Sequence, residues 1–252
     1  MTLELYEWFS RLSFGEWVVF STIGNLTIFV WSVILCRWLT RRYGDLKLFE
    51  SEQLITWRDR ALAASSVALN SLVSIVGWWL WKADWITITH PGWGRTVLDV
   101  AVFLVAMDFG MYVFHRLAHH PWIYRWVHRT HHQHESVNEL SLFVLHPFEV
   151  LGFGALMIVI MMAIPLSGAA VLTYLALNVL FGTIGHAGVH LWSEGSPKLG
   201  LFSFVGGSAF HGGHHKFPNA NFGFYTLVWD ILFNTLDRQT LDPHPLGTQR
   251  RR

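Results

Sequence analysis

Residues 17–36 read WVVFSTIGNLTIFVWSVILC, a run with no charged side chain. At 1.5 Å per residue, about twenty apolar residues in a helix cross the ~30 Å hydrocarbon core of a bilayer. A second uncharged run, ALAASSVALNSLVSIVGWWLW, fills 61–81, and a third at 97–114 is broken only by Asp99 and Asp108. Two shorter runs follow, roughly 150–166 and 168–185. Pro165-Leu166-Ser167-Gly168 between them predicts a hairpin turn, so these two are expected as a partly inserted pair. Buried helices of a soluble bundle are the competing reading, and the length and number of the runs weigh against it. The expected fold is an all-α integral membrane bundle of about four to five spanning or partly inserted helices.

Composition points the same way. The chain is 52% apolar and 14% charged, whereas about a quarter of a soluble domain is charged. A net charge of +1 gives no basic field for nucleic acid. The single cysteine, Cys36, excludes an intrachain disulfide framework and any multi-cysteine zinc or iron–sulfur site. Glu4, Glu7 and Arg11 do not make the start of a cleavable leader.

Basic residues set the expected orientation. Arg37, Arg41, Arg42, Lys47, Arg58 and Arg60 follow the first run, while only Lys82 and Arg95 follow the second, among tryptophans suited to a membrane interface. The 37–60 loop is therefore expected in the cytoplasm and the 82–95 loop outside. The third run then delivers His115 to the cytoplasmic side, and the hairpin returns His186 and residues 211–215 to it. The protein is expected in a bacterial inner membrane or endoplasmic reticulum. One domain is expected over 1–252: N-terminal spans at 17–81, a histidine-rich cap on the membrane base, and a frayed tail over 238–252.

The histidines carry the chemistry. His115-Arg116-Leu117-Ala118-His119-His120 is followed by His128-Arg129-Thr130-His131-His132 and, about eighty residues on, by His211-Gly212-Gly213-His214-His215. With 15 histidines in 252 residues, HxxHH should arise by chance about 0.05 times per chain, so two copies call for a cause. On a helix, positions i, i+3 and i+4 share one face and would aim three imidazoles into one cavity. His186-Ala187-Gly188-Val189-His190 adds a pair at i and i+4. The candidate ligands are His115, His119, His128, His131, His132, His186, His190, His211, His214 and His215. Ten imidazoles exceed the needs of one ion and suit two; imidazole alone does not choose among iron, zinc, copper and nickel. His120 competes with His119, since HxxxxH is also feasible. His90, His134, His146 and His244 stand apart and read as ordinary polar residues. HExxH is absent, which leaves a zinc protease without support.

The pattern HxxxH, HxxHH, HxxHH resembles that of the membrane-bound fatty acid hydroxylase/sterol desaturase superfamily. Asp108-Phe109-Gly110-Met111-Tyr112 ahead of HRLAHH, Leu145-His146-Pro147-Phe148-Glu149, Asn221-Phe222-Gly223, and Trp229-Asp230-Ile231-Leu232-Phe233 are similar to further motifs of that family, with Asn234 where a glycine is expected. The resemblance covers about 97–237. It implies a non-haem diiron centre held by the ten histidines, with zinc as a possible substitute in purified protein. It also implies O2-dependent oxidation of a C–H bond in a lipid drawn from the bilayer, hydroxylation being favoured over desaturation. No flavin or dinucleotide motif supplies electrons, so a reductase with a ferredoxin or cytochrome b5-like donor is implied. Asp108, Asn221 and Asp230 are expected to steady the ligands, with a salt bridge from Asp108 to Arg116 or Arg129, or a cap or turn role, as the alternatives. Glu149 is expected to orient a ligand or cap its helix. From other classes, a metal transporter or sensor and a zinc hydrolase using Glu135 or Glu139 also accommodate the histidines; their clustering on one side argues against transport.

Overall fold

The computed structural model describes residues 3–50 and 53–241. His244 and the terminal arginines therefore lie outside the described residues. Nine α-helices are found among those described: α1 (Leu3–Arg11), α2 (Phe14–Arg42), α3 (Trp57–Lys82), α4 (Trp93–Ala118), α5 (Pro121–Val127), α6 (Pro147–Ala163), α7 (Gly168–Gly185), α8 (Ser208–Lys216) and α9 (Val228–Leu232). Four of them, α2, α3, α4 and α7, are long and apolar enough to cross a membrane. The fifth apolar run is α6, with 17 residues. Helix starts are written in the sequence. Ser13 with Glu16 and Thr56 with Asp59 form capping boxes that satisfy the first free N–H groups of α2 and α3.

On α2, Val19, Ile23, Leu26, Val30 and Ile34 are exposed at helical spacing, Ile34 to 61%. Such a stripe would be untenable in water and is the lipid-facing side in a bilayer. This is a membrane protein. Inside, Phe103, Met107 and Met111 of α4 pack with Leu166, Tyr174 and Tyr225. Helices approach closely where glycine replaces a side chain: a Cβ at Gly154 of α6 would lie 2.5 Å from Val73 Cγ2 of α3.

The turn at 165–168 is pinned from across the bundle. Two-residue strands β1 (Ile88–Thr89) and β2 (Leu166–Ser167) pair in parallel. Asp99 accepts the Ser167 N–H at 2.8 Å and the Arg95 guanidinium at 2.6 Å, so this carboxylate within α4 is fully engaged.

The other end of the bundle gathers the last residues of α2, α4 and α7 and the first of α3 and α6. Every histidine motif sits there, beside the loop at 43–50. That loop is strapped over the cap: Leu48 N–H donates to Gly188 O at 3.0 Å, and buried Leu48 packs on Ala209 of α8. Of the tail expected over 238–252, residues 242–252 lie outside the described residues. Arg238–Leu241 is a 3-10 turn whose Leu241 packs with Phe210 and Leu227; apolar burial of that one side chain holds the turn down.

Because β-branched Val73 is stiff and cannot swing aside, Gly154→Val should cost about 1–3 kcal/mol of stability. Thermal unfolding in detergent should show a lowered midpoint; an unchanged midpoint would contradict the close α3–α6 packing.

Candidate metal centre

Five imidazoles, of His115, His119, His128, His132 and His214, converge in one group, and four, of His131, His186, His211 and His215, in another. The converging atoms are all Nε2. In the first group neighbouring atoms lie 2.8 Å (His115–His128) to 3.2 Å (His119–His132) apart, and all five fall within 4.8 Å of one another. In the second, neighbouring atoms lie 3.1 Å (His186–His211) to 3.3 Å (His131–His186) apart, and all four again fall within 4.8 Å of one another. The groups adjoin, the rings of His132 and His215 being 5.1 Å apart between centroids.

The HxxHH boxes do not act as single faces. His128 and His132 enter the first group while His131 enters the second; His211 and His215 enter the second while His214 enters the first. The first box is not α-helical at all. α5 ends at Val127, and His131–Gln133 is a 3-10 turn, which rotates His131 away from its neighbours. On α8, i and i+4 share a side as helical geometry demands, and i+3 is just far enough round to serve the adjacent group. The expectation of three imidazoles in one cavity is thus corrected: each box spans both groups and ties them together.

His190 belongs to neither group. α7 ends at Gly185, and Gly188 turns with φ +65°, so the i, i+4 relation to His186 is lost. Its backbone N–H instead donates to Leu46 O at 2.8 Å. His119 is in the first group and His120 is not. His134 is held by Asp59 at 3.2 Å and Ser141 at 2.8 Å, and His146 caps α6.

The far side of the rings explains their aim. Nδ1–H of His115 donates to Phe222 O at 2.8 Å, that of His214 to Ala220 O at 2.6 Å, and that of His186 to Gly182 O at 2.8 Å. His128 Nδ1 and Glu149 Oε1 share a hydrogen bond at 2.5 Å. A carbonyl can only accept, so the first three rings carry their proton on Nδ1 and an unshared pair on Nε2. Those three pairs point into the groups. At 2.8 Å from His128 Nε2, the His115 pair needs either a proton on its neighbour or a cation between the rings, because two unshared pairs at that distance repel. An ion with ligands at ~2.1 Å and right angles would separate its nitrogens by ~3.0 Å. The residues fit a metal in each group.

Asn221 adopts φ +60°, a left-handed conformation that asparagine tolerates better than most residues. This turn brings Ala220 O and Phe222 O, on either side of it, to two different histidines. Asn221 is fixed by Thr240 Oγ1 at 2.7 Å and Asp237 N at 2.8 Å. Asp230 accepts from Phe222 N at 2.8 Å and Gly223 N at 2.7 Å, so it holds this segment, the strap of residues 220–229, from the other side. Both touch the strap, not the rings. Asp108 touches neither ring nor arginine. It accepts from Tyr225 N at 3.0 Å, Thr226 Oγ1 at 2.6 Å and Trp229 Nε1 at 2.9 Å. The salt bridge to Arg116 or Arg129 is not formed: this carboxylate within α4 finds its partners in the strap that crosses it, and any hold on the rings passes through the strap.

Glu194 escaped the sequence reading. Its carboxylate accepts from Phe210 N at 2.6 Å and Ala209 N at 3.3 Å, satisfying the first turn of α8. Burial pushes its carboxyl up to about 8. It lies 14 residues before α8 begins, beyond any local capping pattern, so no sequence signal marks it.

Burial also holds the cap histidines neutral: His128, His131, His211, His214 and His215 fall well below their ordinary pKa and His132 to about 3. Below about pH 6.5 the unfolded chain therefore binds more protons than the folded one, and stability falls as pH falls. Hydrogen exchange of residues 208–216 in metal-free protein, corrected for intrinsic rate, should accelerate between about pH 6.5 and about pH 4. Unchanged protection would contradict the buried neutral rings. In a second test, His132→Ala and His211→Ala should each lower iron content by one ion per chain, with helicity by circular dichroism retained. Iron content equal to the wild type in both would contradict the two groups.

Comparison with known proteins agrees with this geometry. The fatty acid hydroxylase family matches residues 100–235. A cholesterol 25-hydroxylase-like protein of Danio rerio is 29% identical over 79% of this chain and 79% of that protein. A delta(7)-sterol-C5(6)-desaturase of Nicotiana tabacum is 28% identical over 62% of this chain and 56% of its own. A very-long-chain aldehyde decarbonylase of Oryza sativa subsp. indica is 36% identical over 58% of this chain and 54% of its own. The chain thus spans about half the length of the last two. No solved structure matches. The histidine spacing, the apolar helices and the match across 100–235 agree, and the chain belongs to the fatty acid hydroxylase family, within the superfamily of membrane-bound hydroxylases and sterol desaturases.

Proposed function

We propose that this protein is a membrane diiron oxygenase that hydroxylates an unactivated C–H bond of a lipid. The observation that carries this reading is a cavity of about 470 Å³ that runs among α2, α3, α4, α6 and α7 and ends on His115, His128, His131, His186 and His211. Its length fits a lipid tail: from Glu149 to Met161 it follows α6 for twelve residues, ~18 Å of helix. An apolar chamber closed by ligand imidazoles suits a reaction that must keep water from a reactive carbon.

Irons held by His115, His119, His128, His132 and His214, and by His131, His186, His211 and His215, would supply the power to activate O2 and oxidise such a bond, which no side chain has. The chain does the rest. The strap carbonyls and Glu149 fix the ring tautomers, and the packed helices hold the lipid lengthwise with one carbon toward the histidines. The balance is RH + O2 + two electrons + two protons giving ROH and water. The electrons come from outside, through a reductase with a ferredoxin or cytochrome b5-like protein. The metal end is the cytoplasmic face, because it shares the side of Arg37, Arg41, Arg42, Arg58 and Arg60. The similarity to a protein named as a sterol desaturase supports a second reading, in which the same centre removes two hydrogens.

Lipid mass spectrometry of host membranes expressing the protein with a reductase, against His131→Ala at equal abundance, tests the proposal. A product one oxygen heavier, absent from the variant, is expected. A product two hydrogens lighter would replace hydroxylation by desaturation, and no difference across several lipid backgrounds would contradict both.

A further inference from the structure

Three asparagines lie in the membrane helices, and all three line the cavity: Asn25 of α2, Asn70 of α3 and Asn178 of α7. A primary amide inside a bilayer is costly unless it has a partner, and it marks a functional position by default. Helix-to-helix adhesion is the ordinary use of such residues. Here it does not apply to Asn25, whose Nδ2 donates within its own helix to Ser21 O at 2.8 Å. Asn70 is not drawn into any of the hydrogen bonds that join α3 to its neighbours through Ser66, Ser74 and Lys82. Asn178 Oδ1 accepts the Tyr225 hydroxyl at 2.6 Å, and Tyr225 is steadied in turn by Tyr174 at 2.9 Å.

These bonds decide what remains to offer. Asn25 has spent a donor and keeps its carbonyl oxygen, while Asn178 has spent its carbonyl and keeps its N–H donors. Asn70 offers both. The helices bring the three into one ~9 Å stretch of the cavity. Trp17 Nε1 bonds to Ser74 O at 3.2 Å, which levels Ser21 with Asn70; Ser32 bonds to Thr183 at 2.6 Å, which levels Asn178 with Thr27. Ser21 to Thr27 is ~9 Å of helix. No lysine or arginine lines the cavity, and its one carboxyl group is Glu149, near the metal end. An anionic headgroup would enter unpaired.

We infer that the three asparagines form a subsite for one uncharged group that both donates and accepts a hydrogen bond, such as a hydroxyl or secondary amide. The substrate is then a neutral lipid, and neither a free acid nor a bare hydrocarbon. The inference rests on the proposed function only in taking this cavity as the seat of the lipid.

Competition binding to the full-length protein in nanodiscs tests it, with tritiated hexadecanol displaced by hexadecanol, hexadecane or hexadecanoate. Hexadecanol should bind roughly two- to tenfold more tightly than either of the others. Asn25→Leu and Asn178→Leu should bring the alcohol down to the alkane while leaving alkane affinity unchanged, which also reports an intact cavity. The ranking on wild-type protein stands as a test even where a variant fails to fold. Equal affinities, or tightest binding of hexadecanoate, would overturn the subsite and leave the oxygenase reading untouched. Alcohol preference without any lipid oxidation in membranes would do the reverse.

Discussion

Everything in this protein is arranged around a cost: imidazole nitrogens crowded together at 2.8–3.3 Å, with the unshared pairs of His115, His186 and His214 turned inward. Without a cation or a shared proton that arrangement is repulsive, and neutral rings in a desolvated pocket have no water to relieve it. The fold holds the rings there from behind. Backbone carbonyls of Gly182, Ala220 and Phe222 and the carboxyl group of Glu149 take up the opposite ring nitrogens. Each such bond costs little to make within an already folded strap, and each carbonyl points one lone pair inward.

The strap itself hangs from the membrane base. Asp108 within α4 grips residues 225–229, Asp230 grips 222 and 223, and Asn221 supplies the left-handed turn between the two carbonyls. The polar residues of this region therefore act in series. Asp108 fixes where the strap lies, Asp230 and Asn221 fix how it bends, and the strap fixes the rings. This arrangement separates the histidine end from the lipid-facing surface without a carboxylate in either histidine group.

Much of this was legible in the sequence because the signals are local. Uncharged runs of bilayer length give α2, α3 and α4 to within a few residues, and the Pro165–Gly168 turn gives the break between α6 and α7. Histidine spacing marks the nine converging rings, since ligands within one or two turns leave a pattern. What was not legible is non-local. The division of each HxxHH between two groups depends on where α5 stops and on the approach of α8. The partners of Asp108 lie 117 to 121 residues on, at Tyr225, Thr226 and Trp229. The spacing of His186 and His190 is helical only on paper, because α7 stops at Gly185 and Gly188 turns the chain. Glu194 left no mark, and carbonyl partners never can, since every residue carries one.

The central claim is that the two histidine groups hold two neighbouring irons in shells made of imidazole. X-ray absorption at the iron edge on protein loaded with iron alone tests it directly. The account predicts a nitrogen-dominated shell at ~2.1 Å with outer scattering from imidazole rings and from a second iron. An isolated iron, or a shell dominated by carboxylate oxygen, would contradict it.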